Sequence, residues 1–340
     1  MAYGLWPMAH GLWPKEKRVT INMPKKTKKK KKHFRSWNPK KWLMGGSCLL
    51  VIAAIVSLYA FQPDAKRLEI NRLTSVYVHG GSNIGFVQIL RDVWSIYSSK
   101  GLVPCDVRPD DSPVFGGIPR CKAPLTVLKN DAYWIGYSEE KRSPLWAAYR
   151  LTDVTSDEKP AARAESFLPD KRTTAQVTSD QYTNSGYDRG HLASSYSIAK
   201  CYGATAQMQT FLMSNVVPQR HAFNAGIWKS LEMKEINTFA PRCQSIWIIT
   251  GPIYPAVITR TLPSGIPVPE AFYKIILDEI DGKIRAMAFI IEHDTENDVD
   301  LNDCLVSINE IEKRTGLDFF MGFPETVQTA LESDANTKIW

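Results

Sequence analysis

Glycine lacks the share a collagen needs: 20 glycines in a chain of 340, beside 21 prolines, fall far short of one residue in three, which excludes a collagen. Charged residues make up only 23% against 44% hydrophobic, which excludes a wholly disordered chain and disfavours a coiled coil. Excess positive charge is missing from most of the sequence. The formal charge is +7, yet residues 1–41 alone hold 13 Lys and Arg against one acid, Glu16. That leaves −5 for residues 42–340. The basic character therefore belongs to the tail and gives no argument for a broad nucleic-acid-binding face on the rest. The length leaves room for one large domain or two modest ones.

The tail is the first thing present. Residues 25–41 read KKTKKKKKHFRSWNPKK, a block that repels itself and stays disordered. Leu43 to Phe61 then form an uncharged apolar run of 19 residues, and about 20 span a bilayer as a helix. Trp42 and Tyr59 stand near its two ends, and Pro63 and Asp64 close it. The reading is a basic cytoplasmic tail at 1–41 and a transmembrane signal anchor at 42–62. The rest lies outside the cytoplasm, as in a single-pass protein of the cell (inner) membrane. The Lys block serves as topology signal and as a contact for anionic lipid. A cleaved signal peptide is the main rival, although its apolar region is usually about 7–15 residues; an organellar targeting segment is another. Met23 is a second candidate start, and the repeated GLWP at Gly4–Pro7 and Gly11–Pro14 has no physical explanation.

Cysteines are few. Cys48 lies in the apolar run, and Cys105, Cys121, Cys201, Cys243 and Cys304 follow it. An exported domain meets an oxidising environment, so the expectation is Cys105 with Cys121, Cys201 with Cys243, and Cys304 left over. The alternative is that all are reduced and buried.

Residues 63–121 read as a linker and helical lead-in, and 122–340 as one mixed domain. Ala132 to Tyr137, Leu145 to Leu151 and Ser245 to Thr250 are strand-like, the last ending at Gly251-Pro252. Phe272 to Leu277 and Ile284 to Ile291 predict a hairpin through Asp281-Gly282. Val306 to Thr315 predicts a helix stopped by Gly316. The fold class is α+β with a mainly antiparallel sheet. The acidic stretch Asp294 to Asp303 has Val299 and Leu305 where a Ca²⁺ loop wants Gly and Glu, so it reads as a solvated loop.

The chemistry sits between residues 187 and 232. Asp188-Arg189-Gly190-His191 is followed by Asn215 to Gln219 (NVVPQ) and by Asn224 to Glu232 (NAGIWKSLE). Phosphodiester hydrolysis needs a base that works near neutral pH, which suits His191. It needs a hard cation, which a single oxygen ligand plus waters can hold. It also needs guanidinium donors for phosphate. If Asn224 opens a helix, Trp228 and Glu232 follow at steps of four. Asn224 and Glu232 then share one side, and Trp228 packs the helix on the strand bearing His191. His221 is near in sequence, as substrate contact or rim residue.

DRGH, N-x-x-P-Q and N-x-x-x-W-x-x-x-E in this order resemble the DNA/RNA non-specific endonuclease family, which includes secreted bacterial nucleases and mitochondrial endonuclease G. The likeness runs from about Lys122 to Leu331, through Pro144–Leu151, Ile249–Tyr254, Ile266–Leu277 and Glu310–Phe320. The resemblance implies a ββα-metal fold and hydrolysis of DNA and RNA to 5′-phosphorylated ends. It implies His191 as general base, Asn224 as the one direct ligand of Mg²⁺ (or Mn²⁺ in its place), and Glu232 as the group orienting metal-bound water. Arg189 and Asn215 would hold the site's geometry, and Arg163 would contact phosphate. Some secreted relatives pair a cysteine matching Cys304 with one near their C-terminus; none follows Cys304 here. The partners expected are nucleic acid, the membrane and a second copy of the chain as a homodimer. The rival reading is a non-cleaving receptor of nuclease-like fold.

Overall fold

The computed structural model describes residues 59–62, 66, 67, 70, 71, 74, 102–154, 166–296, 298–335 and 339. The basic tail, all but the end of the apolar run, nearly all of the lead-in before residue 102, and Arg163 lie outside these residues. Among the described residues no helix is long and apolar enough to cross a membrane.

From residue 102 onward the described residues form β1 (Val103–Pro104), β2 (Arg120–Cys121), β3 (Thr126–Lys129), β4 (Tyr133–Ser138) and β5 (Ser143–Thr152). Then come β6 (Asp188–His191), helix α1 (Ser195–Gln209), β7 (Val216–Gln219) and a helical run, α2, over residues 221–243. Strands β8 (Ser245–Ile253), β9 (Ala271–Ile280), β10 (Lys283–Glu292) and β11 (Leu305–Val306) follow. Helix α3 (Ile308–Thr315), β12 (Leu317–Asp318) and helix α4 (Glu325–Glu332) complete the order. The main sheet has eight strands in the order β1-β10-β9-β8-β5-β4-β3, with β11 also on β10. Its pairings are antiparallel throughout. The fold is α+β, as the sequence predicts.

The central strands are apolar at nearly every position because both faces of the sheet are covered. On the front, Tyr149, Leu151, Ile248, Phe272 and Ile276 pack against Leu192, Phe223, Trp228 and Leu231 of the β6–α2 segment. On the back, Trp146, Trp247, Ile249, Tyr273 and Ile275 pack against Ile311, Phe319, Phe323 and Leu331. The alternation of residues along β5, β8 and β9 assigns each side chain to one core. A smaller cluster of Val177, Tyr182, Met213, Val216 and Ile266 lies beneath the loops.

Local chemistry sets the element ends. Asp281 and Gly282 both have positive φ, +50° and +74°, the two-residue turn that matches strand twist in a hairpin. Strand β8 does not stop at Gly251-Pro252 but runs on to Ile253. Glycine permits this, since a Cβ at 251 would lie 2.1 Å from the Leu145 carbonyl oxygen. Helix α3 starts at Ile308, later than predicted, because Leu305 and Val306 pair with β10. Ser307 caps it, its side chain accepting from the Glu310 amide at 3.2 Å. Neither predicted disulfide forms: all five cysteines beyond residue 100 are thiols. Their sulfurs find other neighbours. Cys105 donates to the Val107 carbonyl and Cys201 to the Thr152 carbonyl, while Arg285 reaches Cys243.

Candidate active site

Strands β6 and β7 pair antiparallel, with Asp188 opposite Gln219 and His191 opposite Val216. Helix α2 follows β7 directly, so two strands and a helix carry the motif cluster, with Asn215 in the short 3-10 turn just before β7. His191 closes β6. Its ring packs against two aromatic rings, Phe167 at 5.1 Å and Phe211 at 5.0 Å between centroids, which also meet each other at 5.0 Å, so the three form a triangular cluster. Neither ring is marked by any local sequence pattern.

The backbone just after His191 is stitched by Asn215. Its carboxamide oxygen accepts from the Ala193 amide at 2.9 Å, and its nitrogen donates to the Ala193 and Thr210 carbonyls, each at 3.1 Å. Asn215 is fully buried, so it fixes the strand end rather than facing outward. Arg189 donates to the Ser179 carbonyl and the Thr183 hydroxyl at 2.7 and 2.9 Å. Its guanidinium braces the adjoining loop.

Asn224 lies in the first turns of α2. Its Nδ2 donates to Asp188 Oδ2 at 2.9 Å. Strand β6 therefore carries the anchor of the carboxamide at one end and the imidazole at the other, about 10 Å of chain apart. Glu232 lies further along α2, half-buried. The run between them is not a regular α-helix. Asn224–Trp228 is a π-helical segment and Gly226 has non-helical angles (φ −103°, ψ −112°), a feature common at functional sites. Simple steps of four do not describe the Asn224–Glu232 relation. Trp228 has its ring contacts elsewhere than the spacing suggests. It stacks on Phe223 at 5.4 Å, meets Phe272 at 5.5 Å and lies under Lys274 Nζ at 4.3 Å, so it packs α2 on the main sheet.

Residues 121–326 match the DNA/RNA non-specific endonuclease family. The chain belongs to this family. Among its relatives are a nuclease of Nostoc sp., 32% identical over 219 residues, covering 61% of this chain and 77% of that protein. Human mitochondrial endonuclease G is 28% identical over 213 residues, covering 57% and 70%. The zebrafish mitochondrial nuclease EXOG is 28% identical over 220 residues, and the chain spans 63% of its length. Among solved structures, a chain of the EndoG/EndoGI complex has a TM-score of 0.55 at 23% identity, over 65% of this chain and 94% of that one. That likeness establishes the fold. The protein is a hydrolase of the non-specific endonuclease type, in a family of metal-dependent nucleases.

The endonuclease's donor set fits a hard cation. Asn224 Nδ2 is committed to Asp188, which turns the carbonyl Oδ1 away from the carboxylate, and Asn224 is only partly buried. A neutral oxygen donor with a carboxylate further along the same helix suits an ion that keeps most of its waters. Among the described residues no group of three or more His, Cys, Asp or Glu is placed to hold a metal.

Three further residues of the endonuclease support the motif from behind. Gln219 is fully buried against Gly190, where a Cβ would lie 2.1 Å from its Oε1. Its place in N-x-x-P-Q is the signal that could have found it. His293 donates from Nδ1 to the Pro269 carbonyl at 2.8 Å and accepts the Arg220 amide at Nε2 at 2.7 Å, immediately before α2. Burial pushes its pKa down to about 4, so the ring stays neutral. Lys274, wholly buried on β9, pairs with buried Glu235 of α2 at 2.7 Å, and Tyr149 donates to Glu235 at 3.1 Å. Burial raises the Glu235 carboxyl's pKa against the pull of Lys274.

Proposed function

We propose that this is a membrane-anchored, Mg²⁺-dependent endonuclease that cuts DNA and RNA with low sequence selectivity. Residues 42–62 are the anchor, residues 1–41 face the cytoplasm, and the nuclease domain works on the other side of the inner membrane. The observation that carries the catalytic reading is the Asp188–Asn224 hydrogen bond on the strand that ends in His191.

His191 takes a proton from a water molecule as its oxygen attacks the phosphorus. The bond from phosphorus to the 3′ oxygen breaks, which leaves a 5′-phosphate. Phe167 and Phe211 hold the imidazole in place for that transfer, and Asn215 fixes the backbone behind it. Asn224 Oδ1 would hold the ion, with Glu232 accepting hydrogen bonds from surrounding water. Mg²⁺, or Mn²⁺ in its place, supplies charge for the phosphate and support for the leaving oxygen. Arg163 is the residue proposed to grip a phosphate oxygen. Low selectivity follows because backbone contacts carry no base information.

The test is plasmid nicking by the purified protein. Cleavage that needs Mg²⁺, stops with a chelator and returns on re-addition is the expected result. Fractionation tests the anchor: the chain should stay with membranes after a high-salt wash, and recovery in the soluble fraction would remove that part of the reading.

A further inference from the structure

Asp188 Oδ2 takes a second partner beside Asn224. His221 Nδ1 lies 2.9 Å from the same oxygen. A carboxylate only accepts, so Nδ1 carries the hydrogen and donates. His221 stands one helical turn before Asn224, on the same side of α2. The two donors converge on one oxygen that belongs to a neighbouring strand. His221 is 81% exposed in its side chain, and Asp188 is 33% exposed. An imidazole that open to water gains little from packing, so its contribution lies in the contact it makes.

We infer that His221 is a positioning residue for the metal-holding carboxamide. It fixes the Asp188 carboxylate from the solvent side, which in turn fixes Asn224 with Nδ2 inward and Oδ1 outward. Without it Asp188 is free to rotate toward water, and Asn224 loses its orientation. Residues that orient a ligand in this way typically govern metal affinity by about 10- to 100-fold. The inference rests on the reading of Asn224 as metal ligand.

Substitutions at 221 separate the two ring nitrogens. His221→Asn keeps an N–H near the place of Nδ1, whereas His221→Gln puts one near Nε2. Mn²⁺ binding to the purified full chain, without nucleic acid, is followed by electron paramagnetic resonance. His221→Ala should weaken binding about tenfold, His221→Asn should restore most of it, and His221→Gln should not. The exposed position leaves folding intact, which a melting curve verifies. Unchanged Mn²⁺ affinity in His221→Ala, or equal rescue by Gln and Asn, overturns the inference while leaving Asn224 as ligand. Unchanged affinity in Asn224→Ala overturns the ligand reading and this inference with it.

Discussion

The two faces of the main sheet are built differently. The back is an apolar core in which aromatic and branched side chains from β5, β8 and β9 meet α3, α4 and the Phe319–Phe323 segment. The front buries comparable apolar groups but threads charge and hydrogen bonds through them: Lys274 with Glu235, Asp278 with Arg285, Asn215 and His293. Apolar packing tolerates exchange of shape for shape. A buried polar contact tolerates only the partner it was made with. The back face therefore supplies stability, and the front converts part of its stability into fixed positions for β6 and the start of α2.

That division can be broken at its strongest point first. His191→Ala should cut cleavage by about 10²–10⁴-fold with the melting temperature unchanged. A variant nearly as active as the wild type would remove His191 from the role of base. Next in size are two core changes of similar cost, about 3–5 kcal/mol each in urea denaturation. Phe319→Ala empties part of the back core, and Lys274→Met leaves the Glu235 carboxyl buried without its counter-ion. Assayed well below their melting points, Phe319→Ala should cleave at the wild-type rate and Lys274→Met should not. Adding Glu235→Leu to Lys274→Met should recover most of the stability but not the rate. Equal activity in the two single variants would erase the contrast between the faces.

Acid sharpens it further. His293 ionises at about 4 in the folded protein against 6.5 ordinarily. Between these values the unfolded chain binds more protons, so stability rises with pH across the window. Acidification from pH 7 to 4 should cost up to about 3 kcal/mol through this group. Urea midpoints across that range, compared with those of His293→Gln, measure it; parallel curves would show that His293 contributes nothing. Smallest is Ser307→Ala on the back, where loss of the α3 cap should cost about 1 kcal/mol with cleavage untouched.

Much of this is legible in the sequence because it is local. Strands covered on both faces read as apolar runs, Asp281-Gly282 declares its hairpin, and Gly316 stops α3 in a left-handed conformation. The motif residues His191, Asn215 and Asn224 do fall on one strand–strand–helix unit. What sequence misses is made by contacts between distant segments. Nothing near Phe167 or Phe211 indicates that they pack against an imidazole, and no spacing links Lys274 to Glu235. The π-helical segment at Gly226 defeats the count by fours, because periodicity assumes one regular helix. The cysteines mislead because an even set of suitable loops says nothing about where each sulfur points.

One packing detail bears on how this nuclease can change. The side chain of Gln219 occupies the space a methyl group at position 190 would need. A library that randomises only DRGH should favour glycine at its third place, because any larger residue there must displace the buried Gln219 side chain. Shortening residue 219 in the same step relieves that overlap, which couples the two sites even though they sit on different strands.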